Sequence, residues 1–312
     1  MKLISQRTVI VVMGPTAVGK SRWVLDMIQH MGRGSCVING DSQQVFQGLP
    51  LLTAQPCDHR GVPHYLYSVI PGQEKGEFSA EQWSARARQA IDKAFAHGWI
   101  PWVVGGTGFY LQTLIDGISP VPRESPAQRL VFQKQWSDTP TSALYQQLQK
   151  VDAPWSARIH PHDRQRILRG LHVYAATNRP LSHWHNQSRP SPLPYRVIPV
   201  ILDEDPRILR NNIRHRLDIM WKNGLMNEVE NFLRHGDDFS TLMARNVLGL
   251  RTLRDILNGH TSEQQGYEKI FIDTCRYAKR QRTWMRHKIR PWMRLRSPVS
   301  FAHVAETLQA WL

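Results

Sequence analysis

Eight residues near the start of the chain, Gly14 to Ser21, read Gly-Pro-Thr-Ala-Val-Gly-Lys-Ser and complete the pattern G-x-x-x-x-G-K-[ST]. They follow an apolar, β-branched run at 8–13 and precede a helical pattern of apolar residues. In a strand–loop–helix unit of this kind, backbone N–H groups and the helix N-terminus converge on one anion, so the motif predicts a phosphate site. Lys20 supplies charge to terminal phosphate oxygens, and Ser21 can ligate Mg²⁺. The residues predicted to hold the phosphates are Gly14, Pro15, Thr16, Ala17, Val18, Gly19, Lys20 and Ser21. ATP, GTP and a small organic diphosphate all present the oxygens that such a loop binds.

The length of 312 residues allows one large domain or two modest ones. We expect no membrane attachment, because the chain has no secretory start and no apolar run long enough to span a bilayer. Its histidines lack Cys or acidic partners at ligand spacing, which argues against a zinc site. Three scattered cysteines without a C-x-x-C pair favour a reduced, cytoplasmic location. These are Cys36, Cys57 and Cys275. We also expect a monomer.

The net charge of +15 is unevenly distributed, with 12 of the 15 excess charges beyond residue 100. A kinase of small metabolites has no need of this surplus, whereas a polyphosphate backbone attracts it. The distribution therefore favours a nucleic-acid partner, with an unspecific basic surface as the alternative.

Strand and helix patterns alternate in the first part of the chain, which predicts an α/β fold. We expect a P-loop NTPase-like parallel sheet core with helices on both faces, plus a helical insertion domain. Strands are predicted at 8–13, 35–39, 99–104 and 195–202, and a helix is predicted from Ser79 to about 97. Proline-rich segments bound a helical insert, so the core is assigned to 1–120 and 195–312 and the insert to 121–194. The C-terminal helices are predicted at 206–222, 224–235, 242–257 and 263–289.

Three motifs follow predicted strands: the phosphate loop, residues 41–44 (Asp-Ser-Gln-Gln) and residues 105–108 (Gly-Gly-Thr-Gly). Loops at the carboxyl ends of parallel strands form the ligand crevice of such sheets. Asp41 is placed there to act as a general base or as an outer partner of Mg²⁺, with a turn cap as the plainer alternative. Thr107 offers a hydroxyl to the same crevice.

Two basic helices are candidates for RNA contact. In the insert, Asp163 is a predicted N-cap, and Arg166 and Arg169 share a helix face because they are three residues apart. The segment 276–296 carries nine Lys/Arg and no acid. Its apolar stripe is expected to pack on the core, which leaves a cationic stripe exposed to nucleic acid.

Taken together, the motifs resemble the bacterial tRNA dimethylallyltransferase (tRNA isopentenyltransferase) family. The matching segments spread over nearly the whole chain. They are 14–21, Asp41-Ser42-x-Gln44, Gly48, Thr53-Ala54-x-Pro56, Val62-Pro63-His64, Gly105-Gly106-Thr107-Gly108-x-Tyr110, Arg158-Ile159-His160-Pro161-x-Asp163 with Arg166 and Arg169, Arg216, Gly224-Leu225, and Ala278-Lys279-Arg280-Gln281-x-Thr283-Trp284. The chain departs from the usual family pattern at Phe46, within 48–56, and at Leu250.

The resemblance implies transfer of a dimethylallyl group from dimethylallyl diphosphate to N6 of the adenosine 3′ of the tRNA anticodon. The implied catalytic residues are Asp41 as the base for the attacking amine, Thr107 as a base-positioning hydroxyl, and Arg216 at the leaving diphosphate. Mg²⁺ bound at Ser21 is the implied cofactor. The anticodon stem-loop is the implied RNA partner, contacted by Asp41, Ser42, Gln43, Gln44, Thr107, Arg129, Gln165, Arg166, Ile167, Leu168, Arg169, Lys279, Arg280 and Arg286.

Three other hypotheses stay open at this point. A kinase would use the same loop for ATP but would leave the insert and the basic helix without a role. A transferase acting on free adenylate would not need the basic insert. A tRNA-binding protein without catalysis would bind the stem-loop and transfer nothing.

Overall fold

The computed structural model describes residues 7–73, 78–122, 126–187, 192–234, 239, 242–296 and 301–309. Within these ranges the strands are β1 Thr8–Met13, β2 Ser35–Asn39, β3 His64–Tyr65, β4 Ile100–Gly105, β5 Arg196–Asp203 and β6 Met293–Arg296. The α-helices are α1 Lys20–Met31, α2 Ala80–Ala96, α3 Gly108–Asp116, α4 Pro126–Trp136, α5 Thr141–Val151, α6 Ala153–Ser156, α7 Arg164–Thr177, α8 Leu181–His185, α9 Pro206–Lys222, α10 Leu225–Arg234, α11 Leu250–Leu257, α12 Glu263–Lys288 and α13 Phe301–Gln309.

One parallel sheet of six strands, in the order β3-β2-β4-β1-β5-β6, forms the centre of the fold. Successive side chains of β1 point to opposite faces, as the period of a strand requires. Val11 packs in a cluster that contains Trp83 of α2 and Phe271 of α12, whereas Val12 packs in a second cluster with Met27 of α1. Helices therefore cover the apolar residues on both faces of β1, which explains its continuous apolar run.

The chain divides into two compact units, residues 1–115 with 193–312 and residues 116–192. The two segments of the first unit meet at the insertion point, where the Leu193 backbone N–H donates to the Ile115 carbonyl over 3.2 Å. The second unit is helical, with a core built from the buried side chains of Leu144, Leu148, Ile159, Ile167 and Leu171. Asp163 caps α7, as predicted, by accepting the Arg166 N–H over 3.1 Å.

One predicted helix was wrong. In place of a single helix at 242–257, a short 3₁₀ turn at Met243–Asn246 precedes α11, and Gly249 between them has φ of +89°. Only glycine adopts this conformation readily, so the helix restarts there. The Leu248 N–H donates to the side chain of Gln43 over 2.8 Å, so it does not form the hydrogen bond to a preceding carbonyl that a continuous helix would require.

No helix in the described part of the chain is both long and apolar enough to cross a bilayer.

Candidate active site

A cavity of about 360 Å³ lies at the carboxyl edge of the sheet in the first unit. The phosphate loop and the segment after β2 both line it, as the positions of their strands predict. Helices α9 and α12 supply further lining residues. Its polar lining side chains include Thr16, Lys20, Ser21, Asp41, Gln43, Gln44, Asn212, Arg216 and Tyr277, and its apolar ones include Leu52, Ile213, Leu217, Met220, Val247, Leu248 and Ile270.

The phosphate loop turns at two residues with left-handed backbone conformation, Ala17 with φ of 63° and Gly19 with φ of 87°. Helix α1 begins immediately afterwards at Lys20, so its free N–H groups face the cavity edge. The Lys20 Nζ donates to the carbonyls of Gly14 over 3.0 Å and Pro15 over 2.9 Å. Burial lowers the pKa of Lys20 to about 8, with Asp41 opposing this shift and Arg216 adding to it. An anion bound in the loop would favour the charged form of Lys20 and raise this pKa.

A second cation faces the loop from α9. The Arg216 guanidinium donates to the Thr16 Oγ1 over 2.7 Å, and burial lowers the pKa of Arg216 while Asp41 opposes the change. An amide from the preceding turn of α9, Asn212, donates to the carbonyl of Ala17 over 3.3 Å. Helix α9 thus fixes two points of the phosphate loop and adds a positive charge to the cavity.

Asp41 is positioned by a buried amide, Asn39, that is not among the predicted site residues. Asn39, which has no exposed surface, accepts the Asp41 N–H over 2.8 Å and donates to the carbonyls of Asp41 and Leu66, each over 3.0 Å. The Asp41 carboxylate in turn accepts the Gln43 N–H over 2.9 Å. The only signal in the sequence was a polar residue at the end of an apolar strand, directly ahead of the predicted base.

Thr107 joins the loop after β4 to the loop after β2. Its Oγ1 accepts the Ser42 N–H over 2.9 Å and lies 3.0 Å from the Ser42 Oγ and 3.5 Å from the Asp41 Oδ1. The structure therefore brings the three predicted polar groups, Asp41, Ser42 and Thr107, into one hydrogen-bonded set.

The two glutamines after Asp41 hold the cavity wall. Gln44 donates to the carbonyls of Thr53 and Ala54 over 3.1 and 2.8 Å, while Gln43 accepts the Leu248 N–H. The same wall is fixed from α10, where the Glu228 carboxylate accepts the N–H groups of Leu51 and Leu52 over 2.7 and 2.8 Å. Burial raises the pKa of Glu228, although both hydrogen bonds oppose the shift. The segment that departs from the family pattern is thus anchored by backbone contacts.

Helix α12 also reaches the site through residues whose role the sequence did not reveal. Gln281 is buried and contacts both the phosphate loop and Gly106. Tyr277, one turn earlier, lines the cavity, and burial raises its pKa. The ring of Trp284 packs so closely on Gly108 that a Cβ there would lie 2.1 Å away. The spacing of 277, 281 and 284 on one helix face was the available signal.

The remaining predicted RNA contacts fall into separate groups. Lys279, Arg280 and Arg286 are exposed on α12. Gln165, Arg166 and Arg169 are exposed on α7, where Arg166 also lies 3.4 Å from the Asp163 carboxylate. Ile167 is fully buried in the core of the second unit and Leu168 is half-buried, so packing occupies these two side chains. The side chain of Arg129 lies outside the described residues.

A family model for IPP transferases matches residues 44–288. The chain belongs to the tRNA dimethylallyltransferase family. It is 37% identical over 281 residues to a tRNA dimethylallyltransferase of Syntrophobacter fumaroxidans, covering 89% of this chain and 80% of that protein. It is 36% identical to one of Azorhizobium caulinodans, with 91% of both chains covered. The resemblance drawn from the motifs is confirmed, and so is the expectation of a transferase that modifies tRNA.

Solved structures of tRNA dimethylallyltransferases share the fold. The full-length tRNA isopentenylpyrophosphate transferase of Bacillus halodurans superimposes with a TM-score of 0.69 at 25% identity, covering 98% of this chain and 97% of that one. A eukaryotic dimethylallyltransferase acting on tRNA gives a TM-score of 0.72 at 26% identity, covering 89% and 70%. The α/β fold class is therefore confirmed.

Proposed function

We propose that this tRNA dimethylallyltransferase uses dimethylallyl diphosphate and alkylates N6 of the adenosine 3′ of the anticodon. The observation that carries the proposal is the composition of one cavity of about 360 Å³, which combines a phosphate loop, two half-buried cations, a carboxylate and an apolar wall. Pockets of this size bind small organic ligands.

The leaving group of the proposed reaction is diphosphate, and the cationic half of the cavity fits it. Lys20 and Arg216 both line this half of the cavity, so an anion that contacts both would gain charge-assisted hydrogen bonds from two cations. The N–H groups at the start of α1 add neutral donors. Charge that develops on the departing oxygen would be stabilised in the transition state more than in the bound donor.

The apolar wall fits a short hydrocarbon. Leu52, Leu217 and Met220 line the cavity together with Ile213, and each is at least nine-tenths buried. Such a wall favours a dimethylallyl tail over the polar ribose of a nucleotide, because sugar hydroxyls would be left without partners there.

The acceptor side contains Asp41 with Thr107 and Gln44. In the proposed step the allylic carbon–oxygen bond of the donor breaks with its electron pair leaving on diphosphate. A carbon–nitrogen bond forms to the adenine N6, and the Asp41 carboxylate accepts the N6 proton. The target base must be turned out of its stack to reach the half-buried carboxylate of Asp41 inside the cavity, and Thr107 and Gln44 are proposed to hold it.

Mg²⁺ is proposed as the cofactor, with the Ser21 hydroxyl as its protein ligand. No three acidic, histidine or cysteine side chains converge on a metal position within the described ranges, so a site made of protein alone is not supported. A phosphate-loop serine fits a different mode, in which Mg²⁺ takes one protein ligand and completes its shell with substrate oxygens and water. When bound, the ion would neutralise part of the diphosphate charge.

The exposed cations are proposed to bind the anticodon stem-loop. Lys279, Arg280 and Arg286 on α12 are proposed as backbone contacts, and Gln165, Arg166 and Arg169 on α7 as contacts to bases or to the neighbouring stack. The proposed set also includes Arg129, Ser42 and Gln43. The monomeric state and the cytoplasmic location stay predictions.

The test incubates the protein with dimethylallyl diphosphate, Mg²⁺ and an anticodon stem-loop that carries adenosine at the position 3′ of the anticodon. Mass spectrometry of the RNA should show that one hydrogen has been replaced by one dimethylallyl group, mapped to that nucleotide. The matched control replaces this adenosine by guanosine and should stay unmodified. Phosphoryl transfer from ATP to the RNA, or modification at another nucleotide, would contradict the proposal.

A further inference from the structure

Helix α12 delivers one buried amide between two loops that are remote from it in sequence. The Gln281 Oε1 accepts the backbone N–H of Thr16 over 2.8 Å, and its Nε2 donates to the carbonyl of Gly106 over 3.0 Å. The side chain is 5% exposed. An amide has both a donor and an acceptor group, and here each group contacts a different loop.

The two loops also approach one another directly at this point. A Cβ on Gly106 would lie 2.2 Å from the Gln281 Nε2 and 3.2 Å from the carbonyl oxygen of Gly14. No other residue type fits position 106 without displacing the amide or the phosphate loop. The contact of Gln281 with Thr16 and Gly106 is therefore a close-packed joint between the two loops.

The joint connects the donor side of the cavity to the acceptor side. Thr16 carries the hydrogen bond from Arg216, so its loop is the one proposed to hold diphosphate. Gly106 precedes Thr107, whose hydroxyl accepts the Ser42 N–H beside Asp41. Because its N–H is already bonded to Gln281, Thr16 contributes its backbone to the spacing of the loops and leaves the anion to the later N–H groups of the loop.

We propose that Gln281 is a positioning residue that sets the distance between the diphosphate loop and the Asp41–Thr107 pair. The inference rests on the proposed function, in which the allylic carbon and N6 must meet at reacting distance. Each substrate has its own binding groups, so loss of the joint should leave binding intact and degrade the alignment of the bound pair. A misplacement of about 1 Å costs roughly 10²-fold in rate.

The first test is Gln281→Met, which keeps the length of the side chain and removes both hydrogen bonds. We expect kcat to fall about 10–100-fold, while KM for dimethylallyl diphosphate and the Kd of the stem-loop change by less than about threefold. Gln264→Met, an exposed glutamine on the first turn of the same helix, is the matched control and should match the wild type. An unchanged kcat, or a loss expressed only in KM, would overturn the inference.

The second test is Gln281→Glu, which separates the two halves of the joint. An ionised glutamate only accepts, so it keeps the Thr16 contact and repels the Gly106 carbonyl. A protonated one regains a donor and resembles the amide. Burial raises the pKa of such a carboxyl, so the ratio of variant to wild-type kcat should rise as pH falls from about 8 to about 6. A ratio that does not change with pH would contradict a role for the donor half.

Hydrogen exchange gives a readout that needs no activity. In Gln281→Met the peptide containing Thr16 should exchange faster than in the wild type, and the peptide containing Gln264 should not. If the wild-type protein transfers nothing, the proposed function fails, and hydrogen exchange alone then decides whether Gln281 joins the loops. Unchanged exchange at Thr16 would overturn the joint.

Discussion

The buried side-chain oxygen of Asn39 accepts the backbone N–H of Asp41 over 2.8 Å, so the proposed base is fixed by the last residue of the strand that precedes it. The same amide donates to two carbonyls, one of them in the distant loop at Leu66. The end of β2 therefore fixes the backbone from which the Asp41 carboxylate projects.

Replacing Asn39 should affect both folding and rate. Asn39→Ala removes three hydrogen bonds of a buried side chain and should lower the free energy of unfolding by about 2–4 kcal/mol. Because Asp41 loses its support, kcat should fall about 10–100-fold in the folded fraction. Urea denaturation and single-turnover assays measure the two effects. Asn211→Ala, at an exposed position on α9, is the control, and a similar loss there would assign the effect to general destabilisation.

Asp41→Asn isolates the charge of the proposed base. The variant keeps an oxygen that can accept the Gln43 N–H, which Asp41 accepts over 2.9 Å, so the turn should be preserved. Transfer should slow by roughly 10²–10⁴-fold, with RNA affinity nearly unchanged. A near-normal single-turnover rate would exclude Asp41 as the base.

The lowered pKa of Lys20 predicts a pH dependence of donor binding. Its folded pKa of about 8 lies below the ordinary 10.5, so between these values the unfolded chain holds a proton that the folded chain lacks. Through this group, folding stability rises with pH across that window. The affinity for the diphosphate should instead fall as pH rises, because the diphosphate binds the ammonium form of Lys20. Affinity for dimethylallyl diphosphate, measured by calorimetry without RNA, should fall about tenfold per pH unit above about pH 8.

Lys20→Met is the matched variant for that measurement. It should bind the donor roughly 10–100-fold more weakly at neutral pH, because a hydrogen bond to a charged group is lost. It should also lose the pH dependence above about 8. If the dependence persists in the variant, another group is responsible.

The exposed cations of α12 should act through the RNA backbone. Lys279→Gln and Arg286→Gln should each weaken binding of all stem-loops alike, and each should reduce the slope of log K against log salt by about 0.7–0.9. Lys269→Gln removes a lysine of the same helix whose ammonium lies 2.7 Å from Asp273, and serves as the control. Equal slopes in all three variants would show that this surface does not contact phosphate.

Arg166 on α7 is proposed to act on bases, which predicts a different phenotype. Arg166→Gln should change the preference between anticodon loops by about 1–3 kcal/mol at the contacted position, while the salt slope changes little. Competition binding with stem-loops that differ at single nucleotides measures this. A uniform loss across all loops would reassign Arg166 to the backbone group.

The central strands and the phosphate loop were predictable because their patterns are local. The run 8–13 and the segment 35–39 match β1 and β2, since both are buried on two faces. The edge strands were missed for different reasons. β3 is only two residues long. In β6 every second residue is an arginine, and the guanidinium nitrogens of Arg294 and Arg296 lie 3.7 and 3.9 Å from the carboxylate of the buried Asp203. This stabilising contact is remote in sequence.

The site residues also divide into those that a local pattern predicts and those that depend on contacts remote in sequence. Asp41, Thr107 and the phosphate loop follow strands, so their meeting at one edge could be predicted from topology alone. The roles of Asn39, Tyr277 and Gln281 depend on which polar atom faces which loop. A strand-end position and a shared helix face indicate that these side chains could reach the site, but they do not indicate the partner of each. Ile167 differs from both groups. It was assigned to RNA contact because it lies in a motif, and its side chain packs in the core of the second unit.

The hydrogen bond between Leu193 and Ile115 has a consequence for synthesis of the chain. β1 is made early, yet its neighbour β5 emerges from the ribosome only after the whole of 116–192. The helical unit is contiguous and can collapse as soon as it appears, whereas β1 must wait with one side unpaired. The order of translation therefore delays the pairing of β1 with β5 until after the helical unit has been made. We expect the nascent chain to be most prone to misassociation before β5 has been synthesised.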